Sequence, residues 1–328
     1  MSIPFTNQTT EHQTPRNQSR RCDISGRSQS NTNPHLTDIE CVFSDVETSG
    51  KKITLRGEPR IPNMAESHVQ GICENDAYHL LTHNNKGYAK GYVLVISKDD
   101  LKLVNKADVD VNHYNHPGGC QRIGDYMVTG IENSDSNQSG IYLWSIAGDL
   151  GKLGPQIVAT LTDRPGTGCG AAGIADFVLD GVQQWALAGL NDGSVDIYRS
   201  SGGSLGDNSC TFSFSFTAKL RDEDKDAQSI NLVTNDANFV YLVAFVSHGI
   251  NYADHAVLYK VHLGDETFEF IKDLHVTTHH GGVIGVDGVH FRWGAGLTID
   301  DSSSLNFLAT QRNFVADRCT INRFKQGK

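Results

Sequence analysis

The sequence predicts an all-β fold, a five-bladed β-propeller closed by an N-terminal strand, in a single domain over residues 37–328. From Ile39 onward, short apolar runs rich in Val, Ile, Phe and Tyr alternate with clusters of Gly, Asn, Asp and Ser. This texture is typical of strands and turns, and no helical periodicity competes with it. The runs fall into groups of four, and the last group is one strand short while a spare strand precedes the first group.

The segment before the strands is polar. Residues 1–36 consist largely of Gln, Asn, Ser, Thr and Arg, with few apolar side chains. Such a segment cannot bury enough apolar surface to offset the entropy lost on ordering, so it is predicted to be a disordered tail.

The repeated groups give the blade count. They are expected at residues 68–104, 116–161, 173–216, 229–271 and 290–324. The strand at 52–56 supplies the fourth strand of the last group, because an open sheet edge would offer a template for pairing with other chains. Six blades are the alternative count. A fold of two β-sandwiches would not predict that the last group lacks one strand while a spare strand precedes the first group.

Composition and charge restrict the partners. The net charge is -10, and no cluster of Lys and Arg offers the basic surface that nucleic acid requires. No apolar run approaches the roughly 20 residues of a membrane span. The start of the chain lacks the features of a secretory signal, and the seven cysteines are scattered without a CxxC pair. We therefore expect a cytoplasmic protein with reduced thiols and a small-molecule or sugar-acid ligand.

A repeated pattern marks the start of the first strand in the first two groups. A histidine, a glycine and a tyrosine recur there, namely His68, Gly71 and Tyr78 against His116, Gly119 and Tyr126. In a propeller the first strand of each blade lines the axial channel. His68, His116 and one of His279 or His280 are thus predicted to meet at the mouth of the channel.

A purely structural role is the simpler interpretation of any one of these residues. A buried histidine can pin a loop by bonding a backbone carbonyl, and repeat duplication copies structural residues as readily as functional ones. The glycines fit the close approach of backbones around an axis. Six further histidines are interpreted as edge or exposed positions away from the mouth: His79, His83, His248, His255, His262 and His275.

The functional interpretation is acid–base catalysis on a small organic molecule, as in a lyase, isomerase or cyclase. Facing imidazoles that titrate near neutral pH can divide into acid and base. The predicted catalytic residues are His68, His116, His280, Tyr114 and Arg292. The predicted substrate-binding residues are Glu66, Asn115, Asp176, His279 and Trp293. No cofactor is required by this chemistry.

Two alternatives remain open. A non-catalytic, lectin-like propeller would bind a small ligand or carbohydrate, although only the first two groups match closely, which favours a single site. A metal held by histidines from several blades is the other alternative. In that placement, though not in sequence, the chain is similar to the seven-bladed oxygenases of the carotenoid-cleaving kind.

Overall fold

The computed structural model describes residues 2–4, 32–57, 68–84, 90–109, 114–133, 138–162, 164, 168–207, 210–248, 253–278, 288–300 and 302–327. Within these ranges the fold is all-β, with two short helices and one 3-10 turn at Asp222–Asp224. None of the described helices has the length and apolar character needed to cross a membrane.

Three elements precede the repeated groups. They are strand β1 (Ser2–Pro4), helix α1 (Ile39–Ser44) and strand β2 (Lys51–Arg56). Helix α1 begins after Asp38, whose carboxylate accepts a hydrogen bond from the Cys41 N–H and so satisfies one of the free donors of the first turn. Its buried residues, Ile39 and Phe43, anchor it on the strands.

Five antiparallel groups follow. The first group is β3 to β6, at Val69–Glu74, Tyr78–Asn84, Gly91–Ser97 and Leu103–Asp108. The second is β7 to β10, at His116–Ile123, Tyr126–Asn133, Gln138–Ser145 and Gln156–Leu161, with helix α2 at Leu150–Leu153. The third is β11 to β14, at Ala171–Leu179, Val182–Asn191, Ser194–Ser200 and Thr211–Lys219. The fourth is β15 to β18, at Ser229–Thr234, Val240–His248, Ala253–His262 and Thr267–Val276. The fifth has three strands, β19 to β21, at Val289–Ile299, Leu305–Gln311 and Arg318–Lys325.

The N-terminal strand supplies the missing strand of the fifth group. Strand β2 pairs antiparallel with β21, from Lys51↔Arg323 to Arg56↔Arg318. This is the pairing that the sequence predicts, and it covers an edge of β21 that would otherwise be open. Strand β1 adds in the same way to the outer edge of β14.

The first strands of the groups lie together at the centre. β3, β7, β11, β15 and β19 contact one another in chain order, and β19 contacts β3. Two parallel bridges, Ala171↔Gly119 and Ala295↔Gly71, join neighbouring groups, so the strands form sheets of nine, four and eight. Among the described residues, five clusters of buried apolar side chains fill the spaces between consecutive groups, one of them between the fifth and the first.

Glycine is required where the first strands approach one another. A Cβ added at Gly71 would lie 2.8 Å from the Cα of Gly119, and one added at Gly118 would overlap the carbonyl oxygen of Gly170. The structural interpretation of these glycines is therefore correct, because a larger residue would push the central strands apart.

The buried amide side chains of Gln121 and Asn231 link neighbouring first strands. Gln121 Oε1 accepts hydrogen bonds of 2.8 Å from the N–H groups of Ile174 and of Leu232. Asn231 Oδ1 accepts one of 2.7 Å from the N–H of Leu297. These bonds satisfy backbone donors that the central strands leave unpaired, and they tie β7, β11, β15 and β19 together.

Residues 32–36 cross the end of the first strands that is opposite the mouth. Asn33 Nδ2 donates to the Arg122 carbonyl at 2.9 Å, and its Oδ1 accepts from the Gly124 N–H at 3.0 Å. Leu36 is fully buried and bridges to Asn235. The packed structure thus begins before residue 37, because Asn33 and Leu36 find partners that the local sequence does not show. The rest of the predicted tail, apart from β1, lies outside the described residues.

Candidate functional site

Two of the predicted histidines meet where the first strands begin. His68 immediately precedes β3, and His116 is the first residue of β7. Their ring centroids are 6.4 Å apart with planes inclined at 65°. Matching positions of two repeats therefore bring these imidazoles to one place.

The amide of Gln70 joins the two imidazoles. Its Nε2 lies 2.6 Å from His68 Nε2 and 2.7 Å from His116 Nε2. An amide nitrogen can only donate, so both imidazole Nε2 atoms accept, and the network assigns the ring proton of each histidine to Nδ1.

His116 is oriented by a carboxylate. Its Nδ1 lies 3.2 Å from Glu132 Oε2, and Glu132 Oε1 accepts a hydrogen bond of 3.0 Å from the Cys169 N–H. The hydrogen bond from His116 lowers the pKa of Glu132, with the Cys169 N–H acting in the same direction and burial opposing it. Glu132 is thus ionised near neutral pH and holds the His116 ring with Nε2 toward Gln70.

His68 sits in a different environment. Burial, reinforced by the charges of His116 and Arg312, lowers its pKa from 6.5 to about 3. Its ring lies 6.1 Å from the ring of Trp293, edge to face. The guanidinium carbons of Arg292 and Arg312 lie 5.3 and 5.0 Å from the centre of the same indole. His68 is therefore neutral at physiological pH, on the cationic side of the mouth.

A cavity of about 300 Å³ opens beside the two histidines. One wall is formed by His68, Gln70, His116 and Glu132. The rest is formed by residues at the ends of strands and in the loops of the third and fourth groups, namely Gly168, Gly170, Leu190, Asp192, Gly193 and residues 225–228. Most of these groups are polar and include both signs of charge. The cavity is suited to a small hydrogen-bonding molecule rather than to an apolar one.

A buried arginine positions the wall next to Glu132. Arg164 donates from Nη1 to the Gly168 carbonyl at 3.0 Å, and its Nη2 pairs with Asp196 at 3.0 Å. This fixes the backbone that presents the Cys169 N–H to Glu132.

Sequence reasoning missed Gln70, Glu132 and Arg164. A sequence signal exists for Gln70, which follows His68 by two residues, whereas the pairing of Glu132 with His116 across β7 and β8 becomes visible only once the strand register is known.

Two predicted residues are elsewhere. Tyr114 is buried in the apolar cluster between the first and second groups, with its ring 6.1 Å from that of Tyr142, so it does not face the mouth. Asp176 lies at the opposite end of the first strands, where it pairs with His35 Nε2 at 3.0 Å. The structure therefore does not bring Tyr114 and Asp176 to the two histidines, because proximity to the start of a strand does not specify which face or which end a side chain occupies.

The other predicted residues divide into two sets. Asn115 is buried next to His116, and its backbone N–H bonds the Glu132 carbonyl at 3.3 Å, while Arg292 and Trp293 lie beside His68. Glu66, His279 and His280 lie outside the described residues.

Within the described part of the chain, no group of three or more His, Cys, Asp or Glu side chains is arranged to hold a metal ion.

No family model matches the sequence, and no curated protein matches it. Among solved structures, the chain is similar to an exo-β-1,3-galactanase from Phanerochaete chrysosporium, at 10% identity and a TM-score of 0.47, over 84% of this chain and 64% of that one. It is also similar to a luciferin-regenerating enzyme, at 9% identity and a TM-score of 0.41, over 92% and 94% of the two chains. An α-L-arabinofuranosidase from Podospora anserina in complex with cellotriose gives 10% identity and a TM-score of 0.43, over 85% and 98%. The chain spans less than two thirds of the length of the galactanase. Because all three TM-scores are below 0.5, the architecture and the activity of this chain have to be inferred from its own residues.

Proposed function

We propose that the chain is a five-bladed β-propeller whose ring is closed by β2, and that it is an enzyme acting at the mouth of that ring. The architecture is supported by the five first strands, which contact one another in chain order with β19 next to β3. It is also supported by the five apolar clusters, each between two consecutive groups. In a ring each blade needs such a cluster on both faces.

The proposed reaction is acid–base catalysis on a small hydroxylated molecule, such as a sugar or a sugar acid, with His116 as the group that transfers the proton. The observation that carries this proposal is the position of His116 between Glu132 and Gln70 at the cavity wall. An ionised carboxylate on Nδ1 holds the imidazole in one tautomer and stabilises the imidazolium when Nε2 takes a proton. A substrate hydroxyl or acidic C–H that replaces the Gln70 amide at Nε2 would meet a base that is already oriented.

His68 is not proposed as the acid or base. With a pKa lowered to about 3, its ring is neutral near pH 7 and is too weak a base to take up a second proton, so its contribution is hydrogen bonding. The two histidines of the repeat thus have different roles, set by burial and charge rather than by sequence.

Covalent catalysis through the nearest thiol is disfavoured. Cys169 contributes its backbone N–H to Glu132, but burial raises the pKa of its thiol to about 11. A buried thiol of this kind stays protonated and is a poor nucleophile. Proton transfer without a covalent intermediate, as in elimination, isomerisation or cyclisation, is therefore the reaction class that we propose.

A panel of aldoses, uronic acids and aldonic acids, followed by proton NMR in heavy water, would test the enzyme proposal. Turnover or deuterium incorporation is expected with the native chain and is expected to fall by about 100-fold or more in His116→Gln, the usual size of a general-base contribution. The matched control is His262→Gln, because His262 Nε2 also pairs with a carboxylate, Glu269 at 2.9 Å, but on the exposed outer part of the fourth group.

The outcomes separate the two functions. Equal rates in His116→Gln and the native chain would contradict the assignment of the base. Saturable binding of a panel member without turnover or exchange would favour the non-catalytic ligand-binding alternative, which the same cavity supports by its size and polarity.

A further inference from the structure

Within the described part of the chain, the charged and aromatic side chains that contact the Trp293 ring all offer hydrogen-bond donors. The guanidinium carbons of Arg292 and Arg312 lie 5.3 and 5.0 Å from the centre of the indole ring, and the His68 ring lies 6.1 Å away at a steep angle to it. Arginine offers only N–H groups, the indole offers one, and neither residue type can accept a hydrogen bond through nitrogen. These four residues (Arg292, Trp293, Arg312 and His68) are called the donor cluster below.

Two donors of this cluster have no acceptor. His68 Nδ1 and Trp293 Nε1 are buried and make no hydrogen bond within the described part of the chain. Because His68 Nε2 accepts from the Gln70 amide, Nδ1 is the atom that carries the proton, so both orphaned atoms are N–H groups. Buried donors are rarely left unpaired, and acceptor atoms supplied by a ligand would satisfy them.

The charge at the cluster also favours an anion. The chain as a whole carries a net charge of -10, yet two guanidiniums converge here. After burial, the groups that most lower the pKa of His68 are all cationic when charged, with His116 and Arg312 ahead of His83 and Arg292. A local positive potential on an acidic protein attracts an anionic ligand and repels a cationic one.

We propose that the donor cluster binds the anionic group, a carboxylate or a phosphate, of the molecule on which His116 acts. His68 is shared by the two halves of the site, since its Nδ1 belongs to the donor cluster and its Nε2 is linked through Gln70 to His116. The substrate class is therefore a hydroxy acid, sugar acid or sugar phosphate whose acidic group lies a few bonds from the reacting atom. Anion binding stands on the cluster alone, whereas the link to a reaction rests on the proposed function.

Indole N–H resonances in ¹⁵N-labelled protein give a direct readout of the cluster. The chain has three tryptophans, and Trp293→Phe identifies the resonance of Trp293. We expect sodium acetate or inorganic phosphate, titrated at constant ionic strength with sodium chloride, to shift that resonance saturably. A response to acetate alone indicates a carboxylate site, and a tighter response to phosphate indicates a phosphate site.

Arginine variants supply the contrast. Arg312→Gln is expected to weaken the binding of the responsive anion by about tenfold or more, since a charge-assisted bond is lost. Arg318→Gln removes the same charge from an exposed arginine of β21 and is expected to bind as the native chain does. Arg292→Gln, at an exposed side chain, makes the same test if Arg312→Gln does not fold.

The results distinguish this inference from the proposed function. His116→Gln should keep anion binding while losing turnover. If that variant binds the anion and also turns over substrate at the native rate, the assignment of His116 as the base is refuted, whereas the anion site is retained. A Trp293 resonance indifferent to both anions, or a folded Arg312→Gln or Arg292→Gln that binds the responsive anion as tightly as the native chain, would overturn the anion site.

Discussion

At the scale of single residues, the histidines show how far environment outweighs identity. His68 and His116 occupy matching positions of two repeats and are both half-buried, yet one lies beside cationic neighbours and the other is paired with Glu132. His83, interpreted from sequence as an edge or exposed position, is fully buried, with Nε2 3.3 Å from Asn313 Oδ1. That prediction is wrong because the partner lies 230 residues away in the chain, which no local pattern reveals.

The low pKa of His68 predicts a specific dependence of stability on pH. The unfolded side chain titrates near 6.5 and the folded one near 3, so between these values only the unfolded state takes up the proton. The free energy of unfolding rises with pH wherever the unfolded state binds more protons. The contribution of His68 is thus fully present above pH 6.5 and is lost progressively as the pH falls toward 3.

His68→Gln removes that contribution. The free energy of unfolding, measured with urea between about pH 4.5 and about pH 7, should fall less steeply with decreasing pH in the variant than in the native chain. The difference in slope should correspond to at most one proton taken up on unfolding. His262→Gln, at a partly exposed histidine of the fourth group, serves as the control and should keep a slope closer to that of the native chain. Identical slopes in His68→Gln and the native protein would show that the folded imidazole titrates normally.

At the scale of elements, turn residues and apolar runs were enough to predict the strands and their grouping. They do not predict side-chain direction, so the sequence cannot show that Tyr114 faces the apolar cluster between the first and second groups or that Asp176 lies at the opposite end of its strand. Strand alternation assigns faces only when the register is known, and the register of β7 shifts between Pro117 and Cys120. The pairing of His116 with Glu132 depends on that same register.

The close approach of the first strands predicts that Gly118→Ala is destabilising. Its Cβ would overlap the Gly170 carbonyl of the neighbouring group, and overpacking of this kind costs about 1–3 kcal/mol or more. Gly264→Ala is the matched control, because a Cβ in the turn between β17 and β18 meets nothing within 4 Å and should change stability by less than about 0.5 kcal/mol. Denaturant unfolding of both variants checks the difference, and equal stability would mean that the strands can separate without penalty.

At the scale of the whole molecule, the fold depends on contacts between the two ends of the described chain. β2 pairs with β21, and Leu55 of β2 is fully buried in the cluster between the fifth and first groups. Leu36 and Phe43 fill the cluster between the fourth and fifth groups. The sequence predicts the pairing from a deficit and a surplus of strands, whereas the packing of residues 32–36 has no comparable signal.

Two truncations should therefore differ sharply. Among the described contacts, a chain that begins at residue 32 loses the pairing of β1 on an outer edge and no other, so its melting temperature should stay within a few degrees of the native value. A chain that begins at residue 58 exposes the edge of β21 and leaves cavities where Leu36, Phe43 and Leu55 were, so it should fail to fold cooperatively or should aggregate. In the full chain, Leu55→Ala should cost about 2–5 kcal/mol, whereas Lys52→Ala, at an exposed position of the same strand, should be nearly neutral. Similar melting curves for the two truncated chains would show that β2 is dispensable, and the closure of the ring by this strand would then have to be abandoned.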